Sequence, residues 1–361
     1  MSAVLTAYYK IKPGGLCHRL LRAIRALLAR GHTVHYIALS PFPIEHPHCH
    51  FHKFPWPFKD SDSPVFWVFF YCAAPWWLLA IAVKYRITHA FAFSPTYGFC
   101  LAPLRLLNIR LTVFFRADAL KNHELKGRSP AVIAVEKVVE GIAIWRNRAV
   151  GVSESLTAAI VGRHRYLRPA QSTTLPNDLD PTSLLPKSIW GHPLGLAIVG
   201  VLEHRKNQAM AIRCMREISP TFAVLHLFGD GPSLKELTAL VRNLNLSDRV
   251  YFHGWQPRET LWATVDVLLA PSLHEGASNA VLEALARGIP VIAVDTPEAR
   301  ELLPQSALLP NDSSVWTDRL RGLSPSVLSE LQQQQLKGRS RFVFDWDTRI
   351  CRDILEDGLS P

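Results

Sequence analysis

Acidic side chains are scarce in the first half of this chain of 361 residues. Residues 1–170 contain 22 lysines and arginines against 8 aspartates and glutamates, whereas the remainder contains 18 against 22. The net charge is therefore +14 in the first half and −4 in the second. Such a basic half indicates contact with an anionic partner, such as a phospholipid surface, a phosphorylated substrate or nucleic acid. The alternative is that these lysines and arginines are simply solvated.

Other absences exclude whole classes of protein. The six cysteines form no CxxC pair and follow no secretory leader, so we expect neither a disulfide framework nor a zinc knuckle. The opening MSAVLTAYYK lacks the order of a signal peptide, which favours a cytoplasmic location. There is no GxGxxG after the first strand, and no GxSxG or P-loop, which argues against a nicotinamide dehydrogenase. No recognised nucleic-acid-binding module occurs either, so we expect no nucleic-acid partner.

What is present is a folded α/β pattern. Hydrophobic residues make up 48% of the chain and charged residues 19%, and the length favours two domains. Short apolar runs alternate with helical patterns in both halves, which predicts two Rossmann-like doubly wound domains facing a central cleft. We place the first domain at 1–170, a second at 171–340 and a final segment at 341–361. The proline-rich stretch 167–186 is predicted to be the passage between domains.

Residues 65–83 contain no charged side chain over nineteen positions. Length alone nominates a membrane-spanning helix. Pro75 interrupts the run, and the segment lies within the βα alternation, where a buried or interfacial helix fits as well. Its tryptophans and basic surroundings favour a helix that dips into a membrane surface over one that crosses it.

The most informative stretch is PSLHEGASN at 271–279, followed by AVLEA. A strand is predicted to end there, a loop to turn at Gly276, and a helix to begin. The N–H groups of Gly276, Ala277 and Ser278 would then point outward at a helix N-terminus, a suitable site for a diphosphate. Glu275 and Glu283 suit vicinal sugar hydroxyls, because a carboxylate accepts two hydrogen bonds. Eight helical residues rise about 12 Å, too far for the paired carboxylates of a glycosidase.

Several blocks of the second half resemble one known family. Residues 195–304 are similar to the donor domain of family 4 retaining glycosyltransferases of the GT-B fold, whose hallmark is two glutamates separated by seven residues. Here these are Glu275 and Glu283. The other matching blocks, in family order, are GVLEHRKNQ, LFGDGP, DRVYFHGW and VDVLLAPS.

The resemblance implies roles for individual residues. Glu275 would contact the transferred sugar and Glu283 the ribose, with Gly276, Ala277 and Ser278 near the diphosphate. Lys206 would neutralise the departing phosphates. The family usually has an arginine where this chain has Val201, and Arg205 is the candidate substitute. The segments 227–232 and 253–256, which include Gly229 and Trp255, would line the nucleotide base.

The first half matches the family less closely. Gly14 and Gly15 resemble its glycine loop, where backbone could approach a phosphate or acceptor. A histidine usually follows the strand at 111–115, but this chain reads Phe115-Arg116-Ala117-Asp118. Arg116 and Asp118 are therefore candidates for contact with the donor sugar or acceptor, and the alternative is an ordinary surface ion pair. The family also implies that the chain from 342 to 355 returns to the first domain.

Two metal-like patterns carry less weight. Histidines alternate at 46, 48, 50 and 52, but Pro47 weakens a strand there and the segment leads into a connection. The pattern DxD occurs at 60, 178 and 345 without shared context. We therefore predict no metal ligand and no divalent-metal requirement.

The expected function is retaining transfer of a hexose from a UDP- or GDP-linked donor to a saccharide or lipid-linked acceptor. A nucleotide-sugar epimerase or phosphorylase on the same scaffold is the alternative. The basic first half suggests a cytoplasmic protein held peripherally on the inner face of an anionic membrane.

Overall fold

The computed structural model describes residues 2–11, 15–58, 60–61, 63–179 and 189–356. The chain divides into two compact units. Unit 1 comprises residues up to 120, residues 128–176 and the chain from 345 onward. Unit 2 comprises residues 121–127 and 177–344. Gly14 and the second aspartate of two DxD patterns, at 62 and 180, lie outside the described residues.

Unit 1 is built on a parallel sheet of seven described strands in the order β3-β2-β1-β4-β5-β6-β7. The order reverses at β1, so the sheet is doubly wound as the alternating sequence pattern predicts. The strands are β1 Ala3–Ala7, β2 Thr33–Ala38, β3 Cys49–Lys53, β4 His89–Ala92, β5 Arg110–Phe115, β6 Arg148–Gly151 and β7 Gln171–Thr174.

The helices of unit 1 cover both faces of this sheet. They are α1 Gly15–Ala29, α2 Pro64–Lys84, α3 Pro95–Leu101, α4 Ala119–Leu125 (which passes into unit 2), α5 Pro130–Ile144 and α6 Glu154–Arg163, followed near the end of the chain by α14 Trp346–Leu355. Helices α2, α3 and α5 are neighbours, while α14 packs against α1 and strands β4 and β5. Arg22 of α1 is ion-paired with Asp347 of α14 at 2.6 Å.

Unit 2 repeats the architecture with a parallel sheet of six described strands in the order β10-β9-β8-β11-β12-β13. The strands are β8 Leu194–Val199, β9 Ala223–Phe228, β10 Val250–Gly254, β11 Val267–Ala270, β12 Val291–Val294 and β13 Leu308–Leu309. The helices are α7 Gln208–Met215, α8 Leu234–Asn243, α9 Arg258–Leu261, α10 Asn279–Ala286, α11 Pro297–Arg300, α12 Ser313–Arg321 and α13 Pro325–Gly338. The predicted α/β class, with two doubly wound sheets, is confirmed.

Apolar strands explain why this second sheet forms. Leu196, Leu225, Leu268 and Ile292 are inaccessible or nearly so, at the centre of four adjacent strands. Strands buried on both faces read as continuous apolar runs, and such runs pack between two layers of helices. The carboxyl ends of β8, β9 and β11 consequently open at one edge of the sheet, where loops carry the polar residues described below.

One sequence-based expectation was wrong. Pro47 does not prevent a strand in the histidine-rich segment, because Cys49–Lys53 forms the edge strand β3, paired with β2 from Val34 to Ala38. An edge strand tolerates Pro47 because the proline precedes the first paired residue. The stretch 167–186 includes the boundary between the units at 176 and 177, and before it lies a strand that the sequence did not predict, Gln171–Thr174, which pairs with β6. Its four polar residues give no apolar pattern, and its position at the sheet edge explains why none is needed.

Candidate active site

The predicted donor loop lies between β11 and α10. Strand β11 ends at Ala270, and α10 begins at Asn279 with Ser278 as its N-cap residue. Ser278 makes no side-chain hydrogen bond to the first turn, so its hydroxyl does not occupy the helix N-terminus. The side chain of Asn279 accepts a hydrogen bond of 2.7 Å from Nδ2 of Asn177. The predicted strand, loop and helix around residue 276 are confirmed, and the polarity of a helix start favours an anion there.

Glu275 is the centre of a charged cluster. Its Oε1 is ion-paired with Nζ of Lys206 and accepts a hydrogen bond of 2.9 Å from Oγ of Ser272. The side chains of Lys206 and Glu275 are only 11% and 18% exposed. The structure therefore brings together two residues that lie 69 positions apart and that the sequence nominates separately.

Arg205 joins the same cluster from the other side. Its Nη1 lies 3.4 Å from Oε2 of Glu275, and its Nε lies 2.6 Å from Oε1 of Glu203. The guanidinium also donates to the carbonyl oxygen of His274 at 3.3 Å. Arg205 therefore lies beside Lys206, which is where a substitute cation would have to lie. The structure adds Glu203 as the group that orients it.

The cluster sets the charge state of Glu275. Burial raises the pKa of this carboxyl, but the charges of Lys206 and Arg205 and the hydrogen bonds from Lys206 and Ser272 outweigh burial, so the pKa lies below its ordinary value. Glu275 is consequently ionised at neutral pH. An ionised carboxylate beside two cations can accept hydrogen bonds from sugar hydroxyls while the cations face a phosphate.

Glycines let the neighbouring loops approach this cluster. Gly200 follows β8 with φ +146°, and a Cβ there would lie 3.3 Å from both Cε and Nζ of Lys206. Gly229 follows β9 with φ +128°, and a Cβ there would lie 2.1 Å from the carbonyl oxygen of Gly200. Only glycine fits at position 229, because both the positive φ and the close contact exclude a Cβ. Backbone is thereby exposed at the ends of β8 and β9, beside the ion pair.

Glu283 lies within α10 and is held by a different partner. Nε1 of Trp262 donates to Oε2 of Glu283 at 3.2 Å, and the guanidinium of Arg287 lies 5.4 Å from the Trp262 ring centre. Glu283 is only partly buried. The buried indole of Trp262 therefore orients Oε2 of Glu283, while the glutamate side chain keeps access to solvent.

A buried pair supports the donor loop from beneath. His274 and Glu298 are 2% and 6% exposed, and Nδ1 of His274 lies 3.3 Å from Oε1 of Glu298. Burial raises the pKa of Glu298, but hydrogen bonding and the charge of His274 bring it below the ordinary value. This pair links the loop that carries Glu275 to the start of α11. A small cavity beside the pair is lined by Ser272, Glu275, Ser278, Thr296 and Glu298, among other residues.

The segment predicted to line a base follows β10. Trp255 is 77% exposed, and the carbonyl of Gly254 accepts a 2.7 Å hydrogen bond from the backbone of Gly229. His253 stacks on Phe228 with ring centres 4.6 Å apart. The predicted base-lining segments are thus adjacent, and Trp255 offers an uncovered aromatic ring on which a base could stack.

The candidates of the first half occupy unit 1. Gly15 is the first residue of α1, and Arg116 follows the end of β5. Asp118 is not a surface ion pair, because it is 3% exposed and Arg163 donates to it at 2.9 Å. Arg163 also contacts the fully buried Glu140, so Asp118 belongs to a buried charge network. Direct contact between Asp118 and a sugar stays a prediction.

The histidine pattern forms a ring cluster on the sheet edge. Nδ1 of His35 lies 3.0 Å from Nε2 of His52, and the tilted ring of His50 lies with its centre 4.8 Å from that of His35. Burial, with the neighbouring His50 and His52, lowers the pKa of His35 to about 4. Within the described ranges, no group of three or more histidines, cysteines, aspartates or glutamates is arranged to hold a metal.

Sequence reasoning missed the supporting residues. Ser272 and Glu203 lie close in sequence to the residues they contact, three positions before Glu275 and two before Arg205. Their polar side chains within those blocks were a usable signal. Trp262 and Glu298 contact the site from 21 and 24 positions away, so only the fold reveals them.

Comparison with known proteins finds glycosyltransferases among the relatives of this chain. Residues 193–324 match the family model described as "Glycosyl transferases group 1". The chain is similar to the N-acetylgalactosamine-N,N'-diacetylbacillosaminyl-diphospho-undecaprenol 4-alpha-N-acetylgalactosaminyltransferase of Campylobacter jejuni. The two are 29% identical over 165 residues, which is 44% of each chain. The chain matches 21–44% of the length of this and other curated relatives.

Solved structures share the fold over nearly the whole chain. Sucrose-phosphate synthase from Thermosynechococcus elongatus matches with a TM-score of 0.79 at 19% identity, covering 98% of this chain and 97% of that one. The Anabaena protein HepE in complex with UDP-glucose matches with a TM-score of 0.74 at 16% identity, covering 98% and 99%. These likenesses confirm the predicted GT-B fold.

Proposed function

We propose that the chain is a retaining glycosyltransferase of family 4, since residues 193–324 match the family model of group 1 glycosyl transferases. It transfers a hexose from a nucleoside-diphosphate donor to a saccharide or lipid-linked acceptor, in the synthesis of a cell-surface polysaccharide or glycoconjugate. The observation that carries the proposal is the cluster in which Glu275, Lys206 and Arg205 meet beside the start of α10. A sugar donor joins hydroxyls to a diphosphate, so it needs a carboxylate for the hydroxyls next to cations for the diphosphate.

Each group of the cluster has a proposed task. Lys206 and Arg205 face the diphosphate and stabilise the charge that develops as it leaves. The N–H groups of Gly276, Ala277 and Ser278 bind its oxygens, and Glu275 holds hydroxyls of the sugar. Glu283, oriented by Trp262, accepts from the ribose hydroxyls.

The bond changes balance without a protein nucleophile. The bond from the anomeric carbon to the phosphate oxygen breaks, and its electron pair leaves with the nucleoside diphosphate. The acceptor oxygen bonds to that carbon from the same face, through an oxocarbenium-like transition state. The acceptor proton passes to the departing phosphate.

We also propose that the donor site needs no divalent metal. The support is the pair of basic side chains at the position where a metal would neutralise the diphosphate. The acceptor proposal draws on the Campylobacter relative, whose name gives a saccharide linked to diphospho-undecaprenol as its acceptor. A lipid-linked acceptor and a basic first half together favour a cytoplasmic protein held on the membrane surface.

Calorimetric titration with UDP and with GDP tests the donor site. We expect one nucleotide to bind equally well with and without EDTA, and Glu283→Ala to weaken it roughly tenfold, the loss of one or two hydrogen bonds. The control is Glu330→Ala, a solvent-exposed glutamate of α13, which should leave affinity unchanged. Binding abolished by EDTA refutes metal independence, and equal loss in both variants refutes the assigned site.

Product analysis separates the alternatives of the same scaffold. A transferase consumes the donor only in the presence of an acceptor, apart from slow hydrolysis. An epimerase converts the donor alone, and a phosphorylase requires inorganic phosphate. Donor conversion without any acceptor would therefore replace the transferase proposal with the epimerase one.

A further inference from the structure

Helix α2 is apolar on both its inner and its outer side. Phe66, Phe70, Ala74 and Leu78 recur every four residues and are fully buried against the unit. The outer side carries Val65, Val68 and Trp76, exposed by 67%, 65% and 73%. A surface helix normally presents polar residues to water, so this outer side lacks the expected covering.

The uncovered surface extends beyond the helix. The short 3-10 segment Ala102–Leu107 contacts α2, and its Leu106 is 79% exposed. We call the combined surface the apolar face, formed by Val65, Val68, Trp76, Val83, Leu106 and Leu107, all of which are exposed. An exposed apolar surface of this kind indicates an interaction site rather than an ordinary solvent-facing surface.

The charge of the sequence that carries the apolar face favours an anionic partner. The 55 residues from 63 to 117 contain five lysines and arginines and no aspartate or glutamate. Lys84 ends α2 and Arg86 follows it, both exposed. Arg105 immediately precedes the exposed leucines and stacks on Trp145 at 4.0 Å. A second copy of this chain would bring like charges together, whereas an anionic lipid surface complements them.

The attachment of α2 decides how the helix meets a bilayer. Its length and composition are sufficient to cross a membrane, and one third of its most apolar window is buried. The buried positions run from Phe66 to Ala82, so the unit holds the helix along almost its whole length. A helix held in this way lies along a surface, and exposed tryptophans are suited to the headgroup level.

We propose that the apolar face of unit 1 docks into the outer layer of an anionic phospholipid membrane, with Trp76 and Leu106 inserted and Lys84, Arg86 and Arg105 at the headgroups. The inference extends the proposed function by assigning the surface that would hold the enzyme beside a lipid-linked acceptor. It makes no use of the donor cluster in unit 2, so the two can fail separately.

Vesicle sedimentation tests the docking. The probes are vesicles of phosphatidylcholine with phosphatidylglycerol, and vesicles of phosphatidylcholine alone. We expect binding to the anionic vesicles, weakened steeply between 0.05 and about 0.5 M salt as charges are screened. Trp76→Asp should lower vesicle affinity roughly tenfold or more. Lys84→Gln should lower it roughly fivefold.

A matched substitution controls for added charge. Ile189 of unit 2 is 79% exposed, and Ile189→Asp should bind vesicles as the wild type does. Because Trp76 is largely exposed, Trp76→Asp should keep the wild-type unfolding midpoint and nucleotide affinity. Equal loss in the two aspartate variants, or no vesicle binding by the wild type, overturns the docking. So does a dimer in sedimentation equilibrium that Trp76→Asp dissolves, because a second copy then covers the face. Intact nucleotide binding in those cases leaves the donor site standing.

Discussion

Removal of Lys206 separates its structural role from its proposed catalytic one. In Lys206→Met, the largely buried Glu275 keeps Ser272 at 2.9 Å and Arg205 at 3.4 Å but loses one of its two ion-pair partners. Breaking a buried pair by removing one partner costs about 3–5 kcal/mol. Because Arg205 remains, we expect the lower end, about 3 kcal/mol, and a fall of the unfolding temperature on the order of 10 °C.

Nucleotide affinity should fall for a separate reason. If Lys206 binds the diphosphate, its loss removes a charge-assisted hydrogen bond of about 1.5–3 kcal/mol, which is roughly 10- to 150-fold in the Kd for the preferred nucleotide. The measurements are urea unfolding and calorimetric titration. Lys337→Met is the control, because it removes an exposed lysine of α13 that is not part of the site.

The double variant Lys206→Met/Glu275→Gln distinguishes the two effects. Neutralising Glu275 removes a carboxylate charge that only Arg205 still balances, so stability should recover by about 2 kcal/mol. A free nucleoside diphosphate carries no hexose for Glu275 to hold, so affinity should stay low. Wild-type affinity in the double variant would refute a direct role of Lys206 at the phosphate and show that it acts only through Glu275.

Two further predictions concern backbone and pH. Gly229→Ala should destabilise the protein by at least about 3 kcal/mol, because its Cβ would lie 2.1 Å from the carbonyl oxygen of Gly200. Gly254→Ala is the control: its φ is +64° but no atom lies within 4 Å of the added Cβ, so it should cost about 1 kcal/mol. Similar urea midpoints for the two variants would contradict the close approach. The depressed pKa of Glu275 contributes stability that is present above its ordinary value and is lost as pH falls through the lower folded value. Urea midpoints between pH 5 and 3 should therefore fall less in Glu275→Gln than in the wild type, and parallel curves would refute this assignment.

Much of unit 2 could be predicted from the sequence. The strands Ala223–Phe228 and Val291–Val294 lie where the apolar runs predict them, and α10 begins at the predicted Asn279. Central parallel strands are buried on both faces, so their sequence is nearly pure apolar and easily recognised. The edge strands Cys49–Lys53 and Gln171–Thr174 escaped prediction, because one exposed side lets polar residues hide the pattern.

The candidate site divides in the same way. The order of residues determined the loop at 271–279, the helix start behind it and the uncharged run at 65–83, since backbone propensity and apolar periodicity act over a few residues. Only the tertiary structure decided that Lys206 pairs with Glu275, that Trp262 holds Glu283, and that Asp118 is buried with Arg163. It also decided which side of α2 remains uncovered. Those contacts join positions 21 to 69 residues apart, or depend on which helices pack together. Such long-range packing is encoded by the whole chain rather than by any one segment of it.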